Sequence, residues 1–349
     1  MNILISVLLL ILAVNTPVMA DLKIAAVQLD ADDVGNFEKM SSLAATAKSE
    51  GASIIVYPES SVFGWLNPAV FTEAQPIPGT YSNAFAKIAT DNDIWVVAGL
   101  AERGDKAGGN ALPNAYLAYD SGIMINPSGE LVLHHRKYDV LKDAFDQTAC
   151  QNILGVDQCA YEQGDLSDIK AVQTPWGLAS LLVCADAYVP SQYNDGAAIK
   201  TVKALQPDIV FVPWGITAGS QSQCGQQYFN ATGYAGQAAE FIGTAMVVGS
   251  NATGERTYGR FLPSYYCGTS GYANPAGTQF QVGDTTEALA YMTIDYRYDV
   301  QAGPIWSNQD AQQICPGVCP PHKATWNGQW TTTIPGRMSV CGCVADVAK

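Results

Sequence analysis

Three side chains stand where apolar runs of the chain come to an end. Glu59 follows Ile54-Ile55-Val56-Tyr57-Pro58, Lys137 follows Leu131-Val132-Leu133-His134-His135-Arg136, and Cys184 follows Leu178-Ala179-Ser180-Leu181-Leu182-Val183. Each run reads as a strand. In layered α/β folds ligands bind at the carboxyl ends of strands. A glutamate, a lysine and a cysteine gathered there could supply a base, a cation and a nucleophile. Cys184 also differs from Cys150, Cys159, Cys224, Cys267, Cys315, Cys319, Cys341 and Cys343, which lie in loop-like stretches rich in Gly, Pro, Gln, Asn or Tyr. Nine cysteines cannot all pair, so one thiol is left over, and Cys184 is the candidate. At this point it reads equally as a reactive thiol or as a buried structural one.

Residues of that kind need a scaffold to bring them together. Residues 23–29, 53–57, 94–100, 178–183, 209–212 and 245–249 read as strands. Over 34–50 the residues Phe37, Met40, Leu43, Ala44 and Ala47 recur at helical spacing, and Gly51 closes the helix. Residues 81–92, 197–205 and 226–241 are further predicted helices. Residues 115–125 and 131–135 should pair across the turn Asn126-Pro127-Ser128-Gly129, and 280–282 with 290–294 should form a late hairpin. Apolar strands alternating with helices imply mixed sheets covered by helices, an α/β fold. Beyond about residue 299 the core-forming pattern fades, and a disulfide-stapled tail is expected there instead of a second domain.

The 349 residues are 48% hydrophobic and 14% charged, a composition that builds a large core and excludes a disordered chain. Lys and Arg number 18 against 32 Asp and Glu, a net charge of −14. Such a surface repels phosphate backbones, so no nucleic-acid partner is expected. Residues 3–14 are apolar apart from Ser6 and are followed by Val18-Met19-Ala20, the pattern of a signal peptide over 1–20. The expected location is extracellular or a secretory lumen, where paired cysteines read as disulfides and not as metal ligands. Asn230-Ala231-Thr232 and Asn251-Ala252-Thr253 are candidate glycosylation triplets. No other run reaches the roughly 18 apolar residues of a spanning helix, so no stable membrane insertion is expected.

Tyr57-Pro58-Glu59, His135-Arg136-Lys137 and Val183-Cys184-Ala185-Asp186, in that order, resemble the nitrilase (carbon–nitrogen hydrolase) superfamily. Asn126-Pro127-Ser128-Gly129-Glu130-Leu131, Asp208-Ile209-Val210-Phe211-Val212-Pro213 and Gly268-Thr269-Ser270-Gly271 extend the resemblance over about 22–295. It implies a four-layer α-β-β-α sandwich of the nitrilase type over 21–299, to which composition adds the short Cys-rich C-terminal tail over 300–349. It also implies hydrolysis of a non-peptide C–N bond without metal or cofactor. Cys184 would form a thioester, Glu59 would act as base and then acid, and Lys137 with the Ala185 N–H would stabilise the oxyanion. Asp143 is the candidate stand-in for the family's second glutamate or else a solvated loop carboxylate, and Trp65, Tyr188 and Trp214 are candidates to line the substrate pocket or else ordinary core or rim.

Cys184-Ala185-Asp186 lacks the Trp-Glu that follows the nucleophile in true nitrilases, which favours an amidase. The string Pro58-Glu59-Ser60-Ser61-Val62-Phe63-Gly64-Trp65 resembles the secreted pantetheinase/biotinidase (vanin-like) branch. The segment 150–159 is expected to be a disulfide-pinned lid. A small-molecule amide is the expected substrate, and self-association is left open. A true nitrilase and a catalytically inactive secreted scaffold are the alternative readings.

Overall fold

A computed structural model describes residues 22–345 apart from Tyr193 and Asp295. The expected signal peptide lies outside the described residues. The first half of the chain runs β1 (Leu22–Gln28), α1 (Phe37–Ser49), β2 (Ile54–Val56), α2 (Val70–Glu73), α3 (Thr80–Asn92), β3 (Trp95–Lys106), β4 (Tyr116–Ile125) and β5 (Leu131–Arg136). Then come α4 (Gln147–Ala149), β6 (Ala171–Thr174), β7 (Gly177–Leu181), α5 (Ala197–Leu205), β8 (Ile209–Trp214), β9 (Thr217–Ala218) and α6 (Ala231–Ile242). Strands β10 (Met246–Asn251), β11 (Thr253–Arg256), β12 (Ser264–Cys267), β13 (Gly271–Ala273), β14 (Gln279–Gln281) and β15 (Ala288–Ile294) follow. The tail holds β16 (Arg297–Gly303), α7 (Asn308–Val318), β17 (Ala324–Ile334) and β18 (Met338–Ala345).

Two six-stranded sheets carry the fold, ordered β15-β1-β2-β3-β4-β5 and β14-β13-β10-β8-β7-β6. Alternation along single strands explains why they stack. Leu22, Ile24 and Ala26 of β1 join Ile209 and Phe211 of β8 in the core between the sheets. Their neighbours Ala25 and Val27 pack instead with Met40 and Ala44 of α1 and Phe85 of α3. Val210, Val212 and Trp214 pack with Ala198 and Ile199 of α5 and with Ala235 and Ala239 of α6. Strands buried on both faces must be apolar at every position, and such strands need helices outside both sheets. The result is the α-β-β-α sandwich. Each fully buried Leu, Ile or Phe contributes about 1.5–3 kcal/mol relative to exposure.

Local chemistry sets the boundaries. The Asn36 side chain accepts from the Lys39 N–H at 3.0 Å and caps α1. Asn230 does the same for Gly233 at 2.9 Å, so α6 starts at Ala231 and not at the expected 226. The expected late hairpin does not form. β14 pairs with β13 in one sheet and β15 pairs with β1 in the other. The link between them crosses the sandwich, held by the Gln28 amide, which donates to the carbonyls of Asp284 and Thr286 at 3.1 and 2.6 Å.

The tail packs more than its pattern promised. β16, β18 and β17 form an antiparallel sheet with α7 against it. Val300, Ile305, Ala311 and Ala324 extend the core between the main sheets. Disulfides Cys315–Cys341 and Cys319–Cys343 tie α7 and its end to β18. Cys150–Cys159 and Cys224–Cys267 close loops of the main body, and Cys184 is the free thiol. The second glycosylation triplet is corrected by its surroundings: Asn251 is fully buried, and its amide donates to the Ile216 carbonyl at 3.1 Å while accepting that residue's N–H at 3.0 Å. That nitrogen is not available to a glycan in the folded chain. Among the described residues, no helix is long and apolar enough to cross a membrane.

Candidate active site

Just past β7 the chain turns sharply through Cys184–Ala187. Cys184 has φ +43°, a left-handed conformation that costs a residue with a Cβ about 1–3 kcal/mol and is retained where the surroundings enforce it. The side chain leaves the line of the strand and enters a cavity of about 210 Å³. Glu59, Trp65, Lys137, Tyr188 and Gly215 line the same cavity. Burial, and next the charge of Glu59, push the Cys184 thiol up to about 12, against the pull of Lys137 and of a hydrogen bond from the Gly215 backbone. At neutral pH the resting sulfur is therefore a thiol, and attack requires a base beside it.

Glu59 reaches the cavity because β2 ends at Val56 and the backbone then reverses, with Ser60 at φ +53°. The Glu59 N–H donates to the Trp214 carbonyl at 3.1 Å, which ties the end of β2 to the end of β8 across the two sheets. Lys137 follows β5, and its backbone N–H donates to the Asp120 carbonyl at 2.8 Å. Its ammonium donates to the Glu59 carboxylate and lies 3.4 Å from Asp120 Oδ2. Burial opposes the charge on Lys137, but Glu59 and Asp120 hold its pKa well above the usual value. Asp120 is moved the other way from an ordinary acid: burial first and then the charge of Glu59 drive its pKa well up, against the pull of Lys137.

A second tie binds the nucleophile turn to the lysine segment. The fully buried Asp186 carboxylate accepts the N–H groups of Tyr138 and Asp139 at 3.0 and 2.8 Å. Its other oxygen lies 2.7 Å from Nε2 of His135. A residue two places after the cysteine thus fixes the two residues that follow the lysine.

The other expected residues fall in different places. Ala185, Trp65 and Tyr188 line the cavity. Trp214 does not, because its side chain is buried in the core behind the site and only its backbone carbonyl faces Glu59. Asp143, at φ +54°, lines a separate cleft with Phe145, Gln147 and Arg260. Besides Glu59, the carboxylates near Lys137 are Asp120 and Asp139, neither of them singled out by sequence spacing. Asp120 had a signal, as the acid inside the otherwise uncharged strand Tyr116–Ile125. Asp139 lines the cavity, and one of its oxygens is buried without a hydrogen-bond partner. Burial and then Asp186 push Asp139 up to about 6. Beyond Tyr188 the cavity adjoins an open cleft of about 810 Å³ lined by Tyr138, Tyr228 and Tyr234, with Tyr188 and Tyr234 stacked at 4.5 Å. The 150–159 segment packs on Phe145 and Tyr161 beside that region. The arrangement suits attack of a thiol on a carbonyl carbon, with base and cation at hand.

A family model described as carbon–nitrogen hydrolase matches residues 23–298. A second, described as mannan-binding protein, matches residues 308–343. The chain is 24% identical over 191 residues to a human pantetheine hydrolase, covering 48% of this chain and 32% of that protein. It is also 24% identical over 191 residues to an aliphatic nitrilase of Sinorhizobium fredii, covering 48% and 54%. Its C-terminal part is 44% identical over 45 residues to Lectin MVL of Microcystis viridis, covering 13% of this chain and 40% of the lectin. The chain thus spans between 32% and 54% of the length of these three relatives. Among solved structures, an amidase of the nitrilase superfamily from Nesterenkonia aligns with a TM-score of 0.58 at 18% identity, over 78% of this chain and 90% of that one. That likeness shows a shared fold.

Proposed function

The chain belongs to the carbon–nitrogen hydrolase family, and on that premise we propose that it hydrolyses a linear, non-peptide amide through Cys184. The observation that carries this reading is the meeting of Glu59, Lys137 and Cys184 in one cavity, with Cys184 the thiol left unpaired by four disulfides. Glu59 takes the thiol proton as the sulfur adds to the amide carbonyl carbon, so a free thiolate need not form in the empty site. The carbonyl oxygen gains negative charge beside the Lys137 ammonium and the Ala185 N–H. Collapse breaks the C–N bond, and Glu59 gives its proton to the departing amine. Water then yields a proton to Glu59 as its oxygen adds to the thioester carbonyl. The C–S bond breaks, the sulfur regains a proton, and the carboxylic acid leaves.

The open tyrosine-lined cleft next to the cavity favours an amide with an extended substituent over a minimal one. The likeness to a pantetheine hydrolase makes pantetheine and biocytin the first compounds to test, alongside simple aliphatic amides and nitriles. Wild type should turn over at least one amide and Cys184→Ala none. Acid formed from nitriles with every amide inert would favour the nitrilase reading, and complete inertness the scaffold reading. The disulfides favour an oxidising, extracellular or luminal site of action.

A second reading concerns residues 308–343. We propose that this part of the tail binds mannose-type glycans, as the likeness to Lectin MVL favours. A cleft of about 350 Å³ lies between α7 and β17, lined by Asn308, Gln312, Gln329, Trp326 and Trp330. The ladder of β17 with β18 is interrupted between Trp326 and Trp330, so Asn327-Gly328-Gln329 bulges there. Sugar rings offer C–H faces to indoles and hydroxyls to carboxamides, and this lining supplies both. Retention on mannan-coated beads, weakened by Trp330→Ala, tests it.

A further inference from the structure

The two clefts lie at opposite ends of the same strands. Glu59 follows β2, Cys184 follows β7 and Gly215 follows β8, so the catalytic cavity opens at the carboxyl ends of the parallel strands. The tail is fastened at the amino ends. Lys323 pairs with Asp208, the residue before β8, and donates to the Gln206 carbonyl at 2.9 Å. Nδ1 of His322 lies 2.9 Å from the Gly243 carbonyl, just ahead of β10. The chain enters the tail after Ile294, whose partner is Leu22, the first residue of β1. Along β8 alone the two ends are about 20 Å apart at roughly 3.3 Å per residue. The tail cleft lies between α7 and β17 of the segment so fastened.

Resting on the glycan-binding reading of residues 308–343, we infer that the glycan held there is an anchor and not the substrate. The tail fixes the molecule to a mannose-bearing polysaccharide surface, and the catalytic mouth faces away from that surface toward diffusible amides. A short mannose oligosaccharide seated between Trp326 and Trp330 cannot reach Cys184. The Lys323 and His322 contacts, with Val300, Ile305 and Ala324 packed into the main core, hold the tail in that orientation.

The test uses the full chain, soluble mannan, mannan-coated beads and iodoacetamide as a probe of Cys184 that needs no known substrate. Expected are retention on the beads, at least tenfold weaker in Trp330→Ala and in the milder, surface-exposed Gln312→Ala. The rate of Cys184 alkylation should stay within twofold whether the chain is free, saturated with soluble mannan or held on the beads. Amide turnover, once a substrate is found, should follow the same pattern. No retention on mannan overturns both the glycan reading and the anchor. Retention combined with mannan protecting Cys184, or competing with the amide, leaves the glycan reading standing and overturns the anchor.

Discussion

Gly215 lies so close to Glu59 that a Cβ on it would fall 1.7 Å from Glu59 Oε2. The carboxylate occupies the space a side chain would need, at the point where β8 ends. The base is therefore held in position by a missing side chain as well as by its bond to Lys137. Gly215→Ala should displace Glu59 and cut kcat on any amide substrate by at least a hundredfold. The thermal midpoint should change far less, since the clash meets the end of one side chain. A steady-state assay beside a melting curve checks both.

Lys137 lies between two buried carboxyl groups. Lys137→Met should abolish turnover and destabilise the fold by about 3–5 kcal/mol, the range for removing one partner of a buried pair. Adding Glu59→Gln to Lys137→Met should recover much of that stability without any activity. Urea unfolding of the single and double variants separates the two effects.

Asp186 accepts at both oxygens, from Tyr138 and Asp139 at one and from the Val183 N–H at 3.3 Å at the other. Asp186→Asn puts a donor where one of these acceptors stood. The expected loss is about 1–3 kcal/mol of stability for the unsatisfied group. Faster alkylation of Cys184 should accompany it as the turn loosens and the sulfur is less buried. Denaturation and iodoacetamide kinetics measure the two.

Asp139 gives a pH signature. Its pKa in the folded chain is pushed up from 3.8 to about 6, burial being the first cause and Asp186 the second. A raised carboxyl pKa means that the folded state holds the proton more tightly than the unfolded one. The associated stability is full below the unfolded value and is lost as pH rises through the folded one. Wild type should lose stability between about pH 4 and 6 from this group. Asp139→Asn should remove that loss and be the more stable protein at pH 7. Urea midpoints at the two ends of the window decide it.

Replacing Cys315, Cys319, Cys341 and Cys343 by Ser removes both tail bridges, which close overlapping loops of 26 and 24 residues. Either loop alone predicts a cost of about 3 kcal/mol in the chain-entropy description. The tail should lose order and mannan retention, while the Cys184 alkylation rate stays within twofold because the catalytic end is remote.

The sequence was most legible where one residue's setting was local. Glu59, Lys137 and Cys184 each end an apolar run, and those runs are strands whose carboxyl ends meet. Asp120 was hidden because its importance depends on β4 lying beside β5, which brings its carboxyl to Lys137. Asp143 was misleading for the opposite reason: it is close to Lys137 in sequence, but the turn at φ +54° sends it to another cleft. Trp214 contributes through its carbonyl, and sequence reasoning weighs side chains. The tail looked coreless because Val300, Ile305 and Ala311 complete a core begun by distant strands.

Burial of Cys184 has a consequence for survival in an oxidising medium. Thiol–disulfide exchange and attack on peroxides both proceed through the thiolate, and a group titrating near 12 offers almost none at rest. The eight other cysteines are already oxidised into bridges. The ninth, 5% exposed, is met only by small molecules that enter the cavity, and it lacks the ionised form that scrambling with the bridges would require. The feature that makes the sulfur a poor nucleophile in the empty cavity is thus what lets one reduced thiol persist beside four disulfides.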